Sequence, residues 1–285
     1  EKLVPNRIEW WQHCSLWSRA LDVVWSHGKP KISVGAPKQI IFDEPGSDKP
    51  PLGLGYLGRC HPIWYKDRYL LPLYREHAPH FHGTIIQSKD GIDWEYLGTI
   101  GRGTRCIQPT IWEEDGKLCA LMRRFSRGLN PMAYYSESTD GGKTWSPLID
   151  SPYPNCNNSI LVVNREPLVV WNDDLHGRSN ITLGTLDLKR PKYLAKMDGY
   201  GSYPAATKDA KHLYVAYTTK PNPLKFPKAK TVIKVKTYDL ETLQKAAGKD
   251  TTCSSSSKSV SLPSSSLWRV VQPKNSPKTG DPSKN

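Results

Sequence analysis

Arginine, histidine and carboxylate side chains gather in a few short runs of this chain. Arg59, Cys60 and His61 are consecutive, Arg75 and Glu76 lead into His77, His80 and His82, and the run WNDDLHGRSN carries Asn172, Asp173, Asp174, His176 and Arg178. An arginine fork takes both oxygens of a carboxylate at once, so Arg75, Arg123 and Arg178 are candidates for holding an anionic group. Gln108, Asn157 and Asn172 add neutral hydrogen-bonding groups. Glu76 and Asp173 each close a predicted strand, where a carboxyl can act as general acid or base, or equally as ion-pair partner of a neighbouring arginine. His61 and His82 form a possible base/acid pair, because imidazole titrates near neutral pH; the alternative is that EHAPHFHG is a polar surface loop. Tyr203 offers a phenol, as a site residue or as an aromatic wall. Cys60, Cys106 and Cys156 recur at similar places without a standard zinc spacing, so buried thiols are expected and neither metal nor cofactor is assigned.

What positions these residues is a repeat. HPIWYKDRYLLPLYRE (61–76), QPTIWEEDGKLCALMRR (108–124), NSILVVNREPLVVWND (158–173) and YPAATKDAKHLYVAYTT (203–219) each read as an apolar strand, a polar turn and a second apolar strand. Pro62, Pro109, Ser159 and Pro204 mark equivalent points, 47, 50 and 45 residues apart. A third strand follows each pair (GTIIQS, AYYSES, ITLGTL, TVIKVK), then a turn and a shorter fourth strand. Four antiparallel strands per period of this length is the pattern of a β-propeller blade, and a β-sandwich would not keep the period fixed. The expectation is an all-β propeller, with blades over 58–244, a partial first blade and irregular segment over 1–57, and about five blades in all.

The alternation of strands then sorts the loops. Turns between first and second and between third and fourth strands share one face; the connectors between blades and the loops between second and third strands share the other. That second face collects Arg59, Cys60, His61, Arg105, Cys106, Gln108, Asn157, Asn158 and Tyr203 from the connectors, and the runs around Arg75, Arg123 and Arg178 from the loops. Arg124 and Arg127 are expected at the rim.

The turns between third and fourth strands carry a further signal. Ser138 to Trp145 reads S-x-D-x-G-x-T-W, and Ser88 to Trp94 is a shorter version. In both, aspartate caps a tight hairpin through backbone N–H groups and glycine supplies positive φ, so Asp90 and Asp140 are structural. These boxes, with Leu121-Met122-Arg123, Pro154-Asn155-Cys156-Asn157, Trp171-Asn172-Asp173 and Ser202-Tyr203-Pro204-Ala205, make the chain from Gly58 to about Leu243 resemble the sialidase-like, Asp-box (BNR) repeat family. The resemblance implies a propeller commonly of six blades, hence an incomplete, N-terminally truncated member. It implies a site in which three arginines bind a carboxylate, a tyrosine activated by a glutamate is the nucleophile and an aspartate is acid/base. Arg123, Arg178 and Tyr203 match that pattern in part. The expected function is hydrolysis of a glycosidic bond of an acidic sugar. One alternative is elimination on a uronate-containing polysaccharide by His61, His82 and an arginine, similar to propeller lyases; the other is glycan binding without catalysis. Extracellular placement is implied by the resemblance alone.

Composition narrows the partners. The 285 residues carry 40 Lys+Arg against 27 Asp+Glu, a formal charge of +13, which suits an acidic substrate, a lipid surface or nucleic acid. The Ser/Pro/Lys-rich stretch 245–285, expected to be disordered, holds seven Lys+Arg and two Asp, so +5 of that excess lies apart from the loops. No nucleic-acid motif is present and no apolar run is long enough to span a membrane, which leaves an acidic glycan as the expected partner. The oligomeric state is not readable from the sequence.

Overall fold

A computed structural model describes residues 14–27, 29–46, 55–77, 80–125, 130–155, 159–163, 166–175, 177–219 and 230–247. The described chain is almost entirely β, built from antiparallel sheets that follow one another in sequence order as propeller blades do. The first sheet holds β5 (Tyr56–Gly58), β6 (Ile63–Tyr65), β7 (Arg68–His77), β8 (His80–Ser88) and β9 (Glu95–Ile100). β5 and β6 both pair with β7 and together make one interrupted inner strand. The second sheet is β10 (Cys106–Glu114), β11 (Lys117–Arg124), β12 (Met132–Ser138) and β13 (Ile149–Pro154). The third is β14 (Ser159–Val163), β15 (Glu166–Asn172), β16 (Ser179–Thr185) and β17 (Lys192–Tyr200). The fourth has β18 (Ser202–Lys208), β19 (His212–Thr219) and β20 (Val232–Asp239).

Four sheets of three to five strands follow one another among the described residues, preceded by a two-stranded N-terminal remnant, and the last of the four lacks a fourth strand. In its place Asp239 caps a helix, α1 (Leu240–Ala247), by accepting from the Thr242 backbone N–H at 2.8 Å. Leu240 and Leu243 of α1 enter the core, and Lys245 pairs with Glu241, so ordered chain runs past the expected start of the tail at 245. The rest of that tail lies outside the described residues. No helix among them is long and apolar enough to cross a membrane.

Alternation of side chains buries both faces of the inner strands, so adjacent sheets share cores. Leu70 and Ile85 of the first sheet pack on Ile111 and Met122 of the second; Trp112 and Tyr153 of the second pack on Trp171 of the third. Both Asp-boxes fold as the sequence reads. Asp140 accepts from the Thr144 N–H at 2.9 Å and Asp90 from the Ile92 N–H at 2.8 Å, and the indoles of Trp145 and Trp94 donate back to Gly142 and Gly91. Hydrogen bonds from these N–H groups and neighbouring hydroxyls hold both carboxyls low, at about 2. The box of the second sheet seats on the first: a Cβ at Gly98 would collide with the Gly142 carbonyl oxygen and lie 2.7 Å from that of Lys143.

The N-terminal segment holds the last part of another sheet. β1 (Trp17–Ser18) pairs antiparallel with β4 (Lys38–Gln39), and Leu16, Ile40 and Phe42 pack on Tyr56, Leu73 and Ile86. Between them, where the first two sheets carry an Asp-box, runs the hairpin of β2 (Leu21–Ser26) and β3 (Lys29–Val34). Its register pairs Leu21 with Val34, Val23 with Ile32 and Trp25 with Pro30, so one face is wholly apolar, and its strands are exposed throughout.

Candidate functional site

The site is built at three interruptions of the inner strands. The β10–β11 ladder skips between Ile107 and Thr110, and the β18–β19 ladder skips between Ser202 and Ala205. In the first sheet the break lies between Gly58 and Ile63. Each break falls at a residue followed by proline: His61, Gln108 and Tyr203. Proline has no N–H to donate to the ladder, so a bulge is the cheap place for it. Gln108 and Tyr203 hold φ of 55° and 53°, a left-handed conformation that costs a non-glycine residue of order 1–3 kcal/mol. The return is orientation: at each bulge the strict alternation of side chains is interrupted.

Tyr203 is the hub. Arg178, from the loop between β15 and β16, donates to the Tyr203 phenol oxygen at 3.0 Å with its guanidinium 4.7 Å from the ring centroid. Arg59 approaches from the first sheet, 5.9 Å from the same centroid, and donates to the Pro204 carbonyl at 3.2 Å. Residues 145 positions apart thus meet across the mouth. Tyr74 of β7 lies alongside, accepting from the Gln108 amide at 3.5 Å. Burial pushes its phenol up, and the nearby charges of Glu76, Arg59 and Tyr203 all act on it. Glu76, half-buried at the end of β7, is raised above the usual carboxylate range by desolvation, against the opposing pull of Arg123. His61 is half-buried and held below the usual imidazole range by desolvation. The Cys60 thiol beside it contacts the Thr110 hydroxyl at 2.9 Å, whereas Cys106 turns to the Ile100 carbonyl at 3.5 Å.

The structure thus links Glu76, Gln108, Arg123, Arg178 and Tyr203 through Tyr74 and Arg59, while His61 stands half-buried in the break of the first sheet. Others expected there stand elsewhere. Arg75 alternates with Tyr74 and Glu76 along β7, so it faces the opposite way; it is fully buried with its guanidinium 5.3 Å from the Tyr56 ring. His82, its cross-strand partner, is 2% exposed and lies 3.2 Å from a Glu44 oxygen, so it is not a surface-loop imidazole and the expected His61/His82 pair is split between two surroundings. Asn172 is fully buried, its amide donating to the Gly201 carbonyl at 2.7 Å and the Ser179 carbonyl at 3.2 Å, and braces the third sheet to the fourth. The Asp173 carboxylate accepts from Tyr193 of β17, the outermost strand of its sheet, at 3.0 Å. Asp174 takes the Ser179 hydroxyl, as a loop cap would. Arg124 is 13% exposed, packed on the Tyr134 ring and paired with Asp150 of β13. Asn157, Cys156, Arg127 and His176 lie outside the described residues.

Glu44 escaped the sequence reading altogether. It accepts from Tyr56, from Thr99 at 2.5 Å and from Arg102 at 2.9 Å, in addition to its contact with His82. Burial alone would raise this carboxyl; His82, Thr99 and Tyr56 bring it down to about 2. The group locks the N-terminal segment onto the first sheet behind the mouth.

Comparison with known proteins agrees with this architecture. The model of the BNR repeat-like domain family matches residues 8–215. No curated protein matches the chain. Among solved structures, Trypanosoma rangeli sialidase in complex with sialic acid is similar at a TM-score of 0.61 and 19% identity, over 84% of this chain and 42% of that one. The same enzyme with the inhibitor DANA gives 0.59 and 20%, with the same coverage. The chain therefore spans about two fifths of the length of the sialidases it matches, and the likeness establishes the fold.

Proposed function

The chain belongs to the BNR repeat-like domain family, and from that premise we propose that it hydrolyses a glycosidic bond of an acidic, carboxylate-bearing sugar. The observation that carries this reading is the arrangement around Tyr203, a phenol between two guanidinium groups at a strained bulge. Arg178, Arg59 and Arg123 supply forks for the sugar carboxylate. An N–H donated to the phenol oxygen stabilises negative charge on it, which suits Tyr203 as nucleophile in a retaining displacement. Glu76, half-buried beside Arg123 with its carboxyl raised by desolvation, is the acid/base partner. The matched sialidase that holds sialic acid supports an anionic sugar as ligand class.

The test is incubation with a fluorogenic sialoside and a panel of fluorogenic uronosides. Release of fluorophore that disappears in Tyr203→Phe and Glu76→Gln supports hydrolysis. Binding of the same sugars with no release, indifferent to both substitutions, would reduce the protein to a glycan-binding propeller. A product absorbing in the unsaturated-uronate band would make it a lyase.

A further inference from the structure

Diagonal to Arg123 across the β10–β11 ladder lies a second positively charged feature that the hydrolysis scheme does not use. Arg105 precedes β10 on exposed backbone and holds a φ of 56°. Its guanidinium carbon lies 4.8 Å from the Phe81 centroid and 5.3 Å from the Phe125 centroid, and the two phenyl rings stack on each other at 4.1 Å. The Arg105 carbonyl accepts from the Phe125 N–H at 2.8 Å, which extends the β10–β11 ladder by one pair and fixes this geometry from the backbone. No ion pair to Arg105 occurs among the described residues. An exposed arginine without a counter-charge is usually a loose side chain; this one is held on two rings by a left-handed backbone. A guanidinium resting on aromatic faces keeps its in-plane N–H fork directed outward, the form in which it takes a planar or tetrahedral anion.

Its place relative to the mouth follows from register. Ile107 pairs with Arg123, and Arg105 lies opposite Phe125, so Arg105, Ile107, Arg123 and Phe125 share one face of the second sheet. Phe81 is the cross-strand partner of Glu76. Same-face diagonal neighbours on a ladder stand about 7–8 Å apart, a span covered by two linked sugar rings.

We propose that Arg105, seated on Phe81 and Phe125, is a second anion subsite, which binds a carboxylate or sulfate on the sugar next to the one whose carboxylate Arg123 takes. This rests on the acidic-sugar reading above and extends it to substrates bearing two negative charges on adjoining residues.

Isothermal titration separates the two ideas. The probes are N-acetylneuraminic acid, its α2,8-linked dimer and a 6-sulfated sialyl-galactose, with galacturonic acid and digalacturonate as the uronate series. The expected result is that a doubly anionic probe binds about tenfold tighter than its singly charged counterpart, as one further charge-assisted hydrogen bond would give. Arg105→Ala removes that gain and leaves the singly charged probe unchanged. Phe125→Leu, which keeps the charge but takes away a ring, removes part of it. The dimers and the sulfated probe distinguish carboxylate from sulfate as the preferred group. Equal binding of singly and doubly charged probes to the unaltered protein, or an equal loss of both in Arg105→Ala, overturns the subsite while the primary reading stands. Failure of every acidic sugar to bind overturns both.

Discussion

Arg178 is bound to Tyr203 twice over: its guanidinium donates to the phenol oxygen at 3.0 Å and lies 4.7 Å from the ring centroid. The two residues come from different sheets, and the tyrosine backbone is strained to meet the arginine. A contact that only filled space would not need a left-handed residue ahead of a proline. If Tyr203 attacks the sugar, Arg178→Ala lowers kcat by on the order of a hundredfold or more and Tyr203→Phe abolishes turnover. Arg178→Lys restores charge without the fork and recovers only part. Steady-state kinetics on the best fluorogenic sugar checks all three.

Glu76 makes a pH prediction with a definite sign. Burial raises its pKa in the folded protein, so between the unfolded and folded values the native state binds more protons than the unfolded chain. Stability therefore falls as pH rises through that window, and the loss persists above it. Glu76→Gln is expected to unfold at a higher temperature than the parent above this window and to lose the difference in acid, below it. In the parent, ionisation of the same carboxyl is expected to appear in the profile of kcat/KM, and Glu76→Gln is expected to be inactive across the range. Thermal scans from pH 3 to 8, with rates at matched pH, read both.

Glu44 has the opposite sign. Its native pKa of about 2 against an ordinary 4.5 means that its stabilising interactions are complete above 4.5 and are lost as pH falls through 2. Glu44→Gln leaves His82 and Arg102 without their carboxylate, and destabilises by roughly 3–5 kcal/mol at neutral pH, the usual cost of removing one member of a buried pair. Urea unfolding at pH 7 and pH 3 is expected to give a large difference from the parent at the first and a smaller one at the second.

The Asp-boxes are expected to matter for assembly of the blades and not for chemistry. Asp140→Ala frees the Thr144 N–H and hydroxyl and lowers the unfolding midpoint by roughly 2–4 °C. Gly98→Ala is more damaging, because the added Cβ meets two backbone carbonyls of the neighbouring box that have no side-chain freedom to move aside. Neither change should alter KM in the surviving folded fraction, as calorimetry and kinetics on the same samples would show.

The propeller was legible because its signals are local and repeated. Strand pairs recur at a near-constant spacing, and an Asp-box is a single turn whose donors and acceptors lie within seven residues or so. The interruptions of the inner strands were legible only as prolines. The register skips at Gln108 and Tyr203, and the wider break at His61, are not revealed by any periodicity. Period-2 alternation, applied strictly, would have separated Arg75 from Glu76, since adjacent residues of a strand face opposite sides. Glu44 was invisible for a different reason: Tyr56, His82, Thr99 and Arg102 lie 12 to 58 residues away, and the segment around it has no repeat to mark it. The β2–β3 hairpin leaves a trace in the alternation of LDVVWS and KPKISV, but the sequence divides it between an irregular segment and the end of a partial first blade.

The residue-plus-proline bulges have a consequence for how such a ring can change. At these positions the backbone, not the side chain, sets the direction, because the skip in the ladder and the fixed proline torsion are there whatever residue precedes them. Gln108 and Tyr203 seat two unrelated chemistries on the same left-handed bulge, and His61 stands ahead of Pro62 in the wider break of the first sheet. Substitutions there exchange a functional group without recutting the cores between sheets. A library varying only the residue ahead of Pro62, Pro109 and Pro204 would therefore sample new ligand preferences on an almost constant scaffold, and the ring can diversify three residues at a time.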